Sequence, residues 1–284
     1  MTEHTVCVKD ALAMASAQLI ESDSCQLDSE VLLAHVLERN RSFLRAWPEK
    51  PLTNRQQQQY TFLINQRQQG QPVAYLTGER EFWSHTFHVS PSVLIPRPDT
   101  ELLIEIVLNT IDSSQSINIA DLGTGSGAIA ICLGLEYPHA NITAIDQSSD
   151  ALLVAKNNAK HLNCHNVSFL ESNWFDQLDD TTFDIIVSNP PYIDKADQHL
   201  QEGDVRYEPK TALIAGENGL KDIKSIALQA KQYLKVGGFL LFEHGFEQSN
   251  PVKTLLESHG YHHIQQFKDI QGHLRATLCR FNHP

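Results

Sequence analysis

The sequence predicts an α/β protein: a doubly wound, mostly parallel seven-stranded sheet with an antiparallel C-terminal hairpin, preceded by a small helical domain. Three observations carry this. From Pro98 onward short apolar strands alternate with helical stretches, the pattern of a sheet covered by helices on both faces. The last two strands share a connector too short for a parallel crossover, so they pair antiparallel. Before that region, apolar residues recur at helical spacing.

Val8, Ala11, Leu12, Ala15 and Leu19 mark a first helix. Leu27, Val31 and Ala34 mark a second, preceded by polar residues suited to capping. Thr53 opens a third, with Tyr60, Leu63 and Ile64 as its stripe and the glutamines at 56–59 as a solvated face. Gly70, Pro72 and Gly78 break the helical pattern. Rough alternation over 81–89, with Phe82, Phe87 and Val89 apolar, predicts a short hairpin linking two domains. A helix over about 98–111 leads to a strand at 117–122, a glycine-rich turn and a further helix. Strands at 142–146, 167–170, 183–188 and 239–243 follow, with helices from Ser149 and over about 220–234. Strands at 261–267 and 274–281 close the chain. The expected division is a helical domain at 1–78, a hairpin linker at 79–97 and the sheet domain at 98–284.

The chain has 284 residues, 22 Lys+Arg against 34 Asp+Glu, and a net charge of −12. With 41% hydrophobic residues it is globular rather than disordered. The charge argues against a life of non-specific nucleic-acid contact, because that affinity comes from Lys and Arg neutralising phosphates. The first residues lack a basic n-region and an apolar core, so no secretory signal is expected. The most apolar run, 127–135, is far short of the roughly 20 residues of a membrane span. The five cysteines form no CxxC pair, which predicts neither a disulfide framework nor a cysteine zinc site, and fits a reducing cytoplasm. No HExxH occurs; His262 and His263 lie in a strand, where neighbours face opposite sides, so no metal site is expected.

The run Ala120-Asp121-Leu122-Gly123-Thr124-Gly125-Ser126-Gly127 follows a strand and opens a helix. Glycines there let the backbone turn sharply and approach a ligand closely. Gly123, Gly125 and Ala128 satisfy the dinucleotide form GxGxxG/A. Asp146 ends the next strand, where a carboxylate accepts two hydrogen bonds from a ribose diol. Loop and acid together point to a nucleoside-bearing cofactor, and leave NAD and S-adenosylmethionine (SAM) open.

The strand at 183–188 runs straight into Asn189-Pro190-Pro191-Tyr192. In an open α/β sheet ligands bind beyond the carboxyl ends of the strands, so this tetrapeptide shares an edge with the glycine loop. Asn189 offers a side-chain carbonyl and Pro190 a backbone carbonyl, and neither proline brings a competing N–H. Two acceptors thus converge on one planar NH2, and Tyr192 stacks on that group's face. A planar NH2 is a poor nucleophile because its lone pair is delocalised. Acceptors on its hydrogens favour pyramidalisation and aim the lone pair at an electrophile such as a sulfonium methyl.

With these motifs the chain resembles the SAM-dependent methyltransferases that modify planar amino groups. Among them it is most similar to the release-factor glutamine methyltransferases, the PrmC/HemK family. The resemblance covers the helical N-terminal region, Leu94-Ile95-Pro96-Arg97-Pro98-Asp99-Thr100-Glu101, the glycine loop and the tetrapeptide. It continues through Glu208-Pro209 with Ala212-Leu213, and Gly272 with Arg275. It implies the class I methyltransferase sheet, SAM as cofactor, and methylation of the glutamine amide in the Gly-Gly-Gln motif of class I peptide chain release factors. It implies that Gly123, Thr124, Gly125, Ser126 and Gly127 line the methionine part of SAM. Asp146 then holds the ribose and Trp174 lies beside the adenine. Asn189 binds the substrate amide next to the methyl, with Pro190, Pro191 and Tyr192 shaping the glutamine pocket. Many relatives carry Asp where this chain has Asn173, so Asn173 is left out of the site.

The segment 97–101 reads equally as ordinary helix-start chemistry, with Pro98 in the first turn and acids near the positive helix end. Glu243 and His244 end a strand on the active edge, where edge packing is the expected role. Glu208-Pro209 is placed in a loop over the substrate. Two alternative substrates share the same tetrapeptide chemistry: a ribosomal-protein glutamine, and an exocyclic amine of a flipped nucleic-acid base. The acidic charge weighs against the second.

Overall fold

A computed structural model describes residues 6–282. The chain divides into two compact units, Met1–Glu79 with Gln201–Tyr207, and Arg80–Leu200 with Glu208–Pro284.

The first unit is helical: α1 (Val8–Gln18), α2 (Cys25–Leu37), α3 (Arg41–Ala46), α4 (Asn54–Gln68) and α5 (Val73–Thr77). Thr53 and Gln56 form a capping box at the start of α4, and Asn40 caps α3 by accepting from the Phe43 N–H. Val8, Leu32, Leu33, Tyr60 and Ile64 form its core. The stripe expected on α2 is displaced: Leu27 is 45% exposed, whereas Leu32 and Leu33 are fully buried. Polar residues take part of the inward face because they are neutralised there. Asp28 accepts from Arg67 at 2.8 Å and Glu30 from Arg41 at 2.6 Å. Two short helices, α3 and α5, were not expected. Pro72 and Gly78 cap the ends of α5 instead of merely breaking the pattern.

In the second unit β1 (Glu79–Phe82) and β2 (His85–His88) form a hairpin. Its turn residues, Trp83 and Ser84, both have left-handed backbones (φ 51° and 59°), which matches the strand twist. Phe82 and Phe87 meet edge-on at 6.0 Å and enter the core. After α6 (Glu101–Thr110) come β3 (Asn118–Leu122), α7 (Ala128–Glu136), β4 (Asn141–Asp146), α8 (Ser149–His161), β5 (Val167–Glu171) and β6 (Phe183–Ser188). A small pair, β7 (Ile193–Asp194) and β8 (Ile214–Ala215), precedes α9 (Lys221–Gln229). β9 (Leu234–Glu243), α10 (Ser249–Ser258), β10 (His262–Lys268) and β11 (Leu274–Arg280) complete the unit.

The seven-stranded sheet runs β10-β11-β9-β6-β3-β4-β5. β9, β6, β3, β4 and β5 pair in parallel; β11 pairs antiparallel with β9 and β10. Strand alternation divides the core into two layers. Ile119, Ile185 and Leu241 face one with α6 and α7, while Ala120, Ile186 and Leu240 face the other with α9 and α10. From β3 the chain winds outward through β4 and β5, then returns to β6 on the other side of β3. That reversal opens a crevice at the carboxyl ends of β3 and β6.

Three expectations are corrected. The helix over 220–234 ends at Gln229, and β9 begins at Leu234 rather than Phe239. Gly237 and Gly238 read as a break in the sequence, yet they lie inside the strand. Gly237 has φ 75°, and a side chain on Gly238 would press into the Lys235 carbonyl at 2.9 Å. The strand slips register there against β6. His262 and His263 do not alternate in and out. His263 has φ 51° at a register shift in β10, and both are exposed.

Candidate active site

β3 and β6 end side by side, with Leu122 opposite Ser188. The Ser188 hydroxyl donates to the Leu122 carbonyl at 2.8 Å, locking the two strand ends together. The glycine loop leaves β3 with Gly123, Gly125 and Gly127 all at positive φ. Its fold is held from beneath by β4: the N–H groups of Gly123 and Thr124 both donate to the Ile145 carbonyl. Asp146 accepts from the Gly125 and Ser148 N–H groups, each at 2.9 Å. Burial raises the Asp146 carboxyl above its ordinary range, and those N–H donors work against it.

Asp121 sits under the loop, fully buried. Its Oδ2 accepts from the Thr124 hydroxyl at 2.6 Å and from the Ala130 N–H at 3.2 Å. Its Oδ1 has no hydrogen-bond partner among the described residues. Burial pushes this carboxyl up to about 7, and the nearby Asp146 charge adds to the rise.

A cavity of about 350 Å³ lies above these elements. Of the expected residues, Gly123, Gly125, Asp146, Trp174, Asn189 and Pro191 line it. Thr124, Ser126, Gly127, Pro190 and Tyr192 are not among the lining residues. Thr124 and Ser126 are buried supports; the Ser126 carbonyl accepts from Asn158 at 2.9 Å. Gly127 sits where α7 packs on α8, and a side chain there would lie 2.7 Å from Ile131 Cδ1. Asn173, set aside on the sequence, does line the cavity, and its Nδ2 donates to Asp176 at 3.1 Å.

The Trp174 backbone is left-handed (φ 51°) and its ring faces the loop. A side chain added at Gly123 would lie 3.4 Å from that ring. Burial raises the Asp222 carboxyl above its ordinary range, and Lys221 and Trp174 beside it work against the rise. Lys221 and Asp222, at the start of α9, line the cavity, as do Ser92, Thr211 and Ser172. Sequence reasoning singled out none of these. The only signal was a charged pair opening a helix that follows glycines.

At the tetrapeptide, Asn189 Nδ2 donates to Thr100 Oγ1 at 3.2 Å. The Tyr192 hydroxyl donates to Glu243 Oε1 at 3.3 Å, and the Tyr192 carbonyl accepts from Gln248 at 2.9 Å. Burial of the Tyr192 phenol, with the Glu243 charge beside it, raises its pKa. Glu243 is itself buried, and burial pushes its carboxyl up to about 7. His244 Nε2 pairs with the Thr277 hydroxyl at 2.8 Å, the packing role expected of it. Glu208 accepts from Arg97 at 2.5 Å and from the Ile95 N–H at 3.1 Å, so it anchors the 95–97 segment, while Pro209 lines the cavity.

A mixed seven-stranded sheet of this order, with a glycine loop, an acid at the end of β4 and a polar strand end around one cavity, is the architecture of a methyltransferase domain. Residues 99–204 match the family described as Methyltransferase small domain, and residues 10–78 match the PrmC N-terminal domain. The release factor glutamine methyltransferase of Salmonella typhimurium is 49% identical over 93% of this chain and 95% of its own. That of Vibrio cholerae is 48% identical over 98% of both chains. The chain belongs to the release factor glutamine methyltransferase family. Among solved structures, a Pyrococcus furiosus methyltransferase aligns at TM-score 0.53 and 17% identity, covering 82% of this chain and all of its own. A ribosomal protein L11 methylase from Lactobacillus delbrueckii aligns at 0.52 and 17%, covering 69% of this chain and 84% of its own. These two show the shared sheet fold.

Proposed function

We propose that this chain transfers a methyl group from SAM to the side-chain amide nitrogen of the glutamine in the Gly-Gly-Gln motif of class I peptide chain release factors. The observation that carries the reading is Asn189, lining one cavity with Gly123, Gly125 and Asp146. The residues fit SAM. Gly123 leaves open the space beside Trp174 that a side chain would fill, and Asp146 keeps a half-buried carboxylate at the cavity wall. Gly123, Thr124, Gly125, Ser126 and Gly127 form or support the methionine end, Asp146 takes the ribose hydroxyls and Trp174 flanks the adenine. Bound there, SAM supplies an electrophilic sulfonium methyl.

The chain's own residues prepare the nucleophile. Asn189 Oδ1 and the Pro190 carbonyl accept the two amide hydrogens of the substrate glutamine. This pulls electron density onto nitrogen and orients its lone pair. Pro191 and Tyr192 hold the amide plane. No strong base is required before transfer, because the methylated nitrogen becomes acidic and sheds its proton afterwards. Most of the rate therefore comes from orientation and from hydrogen bonds that strengthen in the transition state.

The helical segment 1–78 serves substrate recognition, 79–97 is the linker and 98–284 the SAM domain; the separate matches at 10–78 and 99–204 support this division. The enzyme works in the cytoplasm on a protein partner, without direct nucleic-acid contact. Five unpaired cysteines and a charge of −12 favour that setting. Among the described residues no helix is long and apolar enough to cross a membrane. Incubation with labelled SAM and a release factor tests the proposal: label on the Gly-Gly-Gln glutamine is expected. Label confined to a ribosomal protein, DNA or RNA would replace it.

A further inference from the structure

Gly272 and Arg275 take no part in the chemistry above, yet they shape a turn on the active edge. β11 runs antiparallel to β9, with Ala276 opposite Glu243, so the turn between β10 and β11 lies at the carboxyl end of β9. Asp269 braces this turn from within. It is buried; its Oδ1 accepts from the Gln271 and His273 N–H groups, each at 2.9 Å, and its Oδ2 from Arg275 Nε at 3.2 Å. Gly272 has φ 88°, in the left-handed region that favours glycine. The Arg275 guanidinium reaches Asp99 at 3.9 Å and lies 5.5 Å from the centre of the Phe246 ring, and His273 packs on that ring at 5.3 Å. On this braced turn Ile270 is 95% exposed; Phe246, packed against the same turn, is 49% exposed.

Single exposed apolar residues are ordinary on a protein surface, and Val236, 78% exposed near the other end of β9, is one. Ile270 differs in its place. Ser188, Phe242 and Thr277 lie in one row across β6, β9 and β11. Two strand spacings of about 4.8 Å therefore separate β6 from β11, about 10 Å in all, the reach of about three extended residues. The tetrapeptide and the turn lie on the same side of that row. Side chains tie them together. Gln248, two residues after Phe246, donates to the Tyr192 carbonyl at 2.9 Å, and Asp99 precedes Thr100, which accepts from Asn189 at 3.2 Å. A protein chain that places a glutamine at Asn189 thus brings the residues beside that glutamine within reach of Ile270. We propose that Ile270 and Phe246 form a docking rim for the stretch of the release factor that flanks the methylated glutamine, an inference that rests on the function proposed above. Arg275 is already paired with Asp269 and Asp99, so the rim offers an apolar side chain and an aromatic ring. That suits an uncharged segment whose backbone comes close, as the two glycines of Gly-Gly-Gln allow. A turn braced before binding also loses little freedom when the partner arrives.

The test is made in the full chain with labelled SAM and a release factor. Ile270→Glu and Ile270→Lys put opposite charges on a side chain that is almost wholly exposed, so both should keep the wild-type thermal midpoint. Both should raise KM for the release factor about 5- to 20-fold, with kcat and SAM affinity within about twofold of wild type. Phe246→Ala should raise KM about three- to tenfold. Val236→Glu, a like change at an exposed position near the other end of β9, should leave KM within about twofold of wild type. An unchanged KM in both Ile270 variants would overturn the proposal. So would effects of opposite sign in the two, which mark long-range charge steering rather than an apolar contact, or a Val236→Glu penalty as large as theirs. A wild-type chain that leaves the glutamine unlabelled overturns the function itself, and this inference with it. A labelled glutamine with indifferent Ile270 variants overturns the inference alone.

Discussion

Buried acids are treated differently in the helical unit and at the carboxyl edge of the sheet. On α2, Asp28 and Glu30 are buried against Arg67 and Arg41, at 2.8 and 2.6 Å. At the sheet edge, Asp121 and Glu243 are buried with no ion pair among the described residues, each with an oxygen lacking a hydrogen-bond partner. The sheet unit does pair buried acids elsewhere: Glu208 with Arg97 and Asp269 with Arg275. Among the buried acids of the described residues, the lack of an ion pair thus falls on Asp121 and Glu243, at the carboxyl ends of β3 and β9. Acids that hold elements together are neutralised, because an uncompensated buried charge is costly. Acids at the site keep free acceptor capacity and a perturbed proton affinity, which structure alone does not require.

The sharpest way to break this contrast is to remove a cation on the structural side. Arg67→Ala strands Asp28 and also loses the Asp204 pair and the bond to the Gln71 carbonyl. Chemical denaturation should show a loss of about 3–5 kcal/mol. On the functional side, Asn189→Ala should change stability little and SAM binding little, but lower methyl transfer by about 10²- to 10³-fold. Activity near wild type would refute the mechanism. Gly127→Ala combines a strained backbone (φ 83°) with a 2.7 Å contact to Ile131. It should lower the unfolding free energy by about 1–3 kcal/mol and show that the loop's glycines serve packing as well as ligand approach.

A pH titration sharpens the comparison further. The Asp121 carboxyl holds its proton to about 7 in the folded chain, against 3.8 ordinarily. Between those values the unfolded chain binds fewer protons, so this group makes stability fall as pH rises through the window. Asp121→Asn should flatten that slope, read as thermal midpoints from pH 4 to 8. The smallest effect is expected from Asn173→Asp, which adds an acid beside a cavity that already holds Asp146. SAM affinity, measured by calorimetry, should change by less than about threefold.

Legibility followed distance along the chain. The glycine loop and residues 189–192 declared themselves because each is a short run whose chemistry is contiguous. Their common edge followed from the rule that strand ends face the ligand. The stripe on α2 misled, because residues whose charge is cancelled by α3 and α4 read locally as solvent-facing. The early start of β9 was hidden by Gly237 and Gly238, which signal a turn unless Gly238 is known to lie against the Phe183 and Asp184 carbonyls of β6. Asn173 was set aside for its chemistry, yet it follows from its place after β5 that it meets the cavity.

The sequence by itself determined the fold class, the glycine loop after β3 and the polar strand end after β6, since period, turn chemistry and residue type are local properties. Only the tertiary structure decided which side chains support them. Thr100, Glu243, Lys221 and Asp222 are 32 to 89 positions from Asn189 in the chain and reach its surroundings through α6, β9 and α9. Asn189 meets Thr100, and Tyr192 meets Glu243, across 89 and 51 positions of chain, and no local pattern in the sequence encodes those partners.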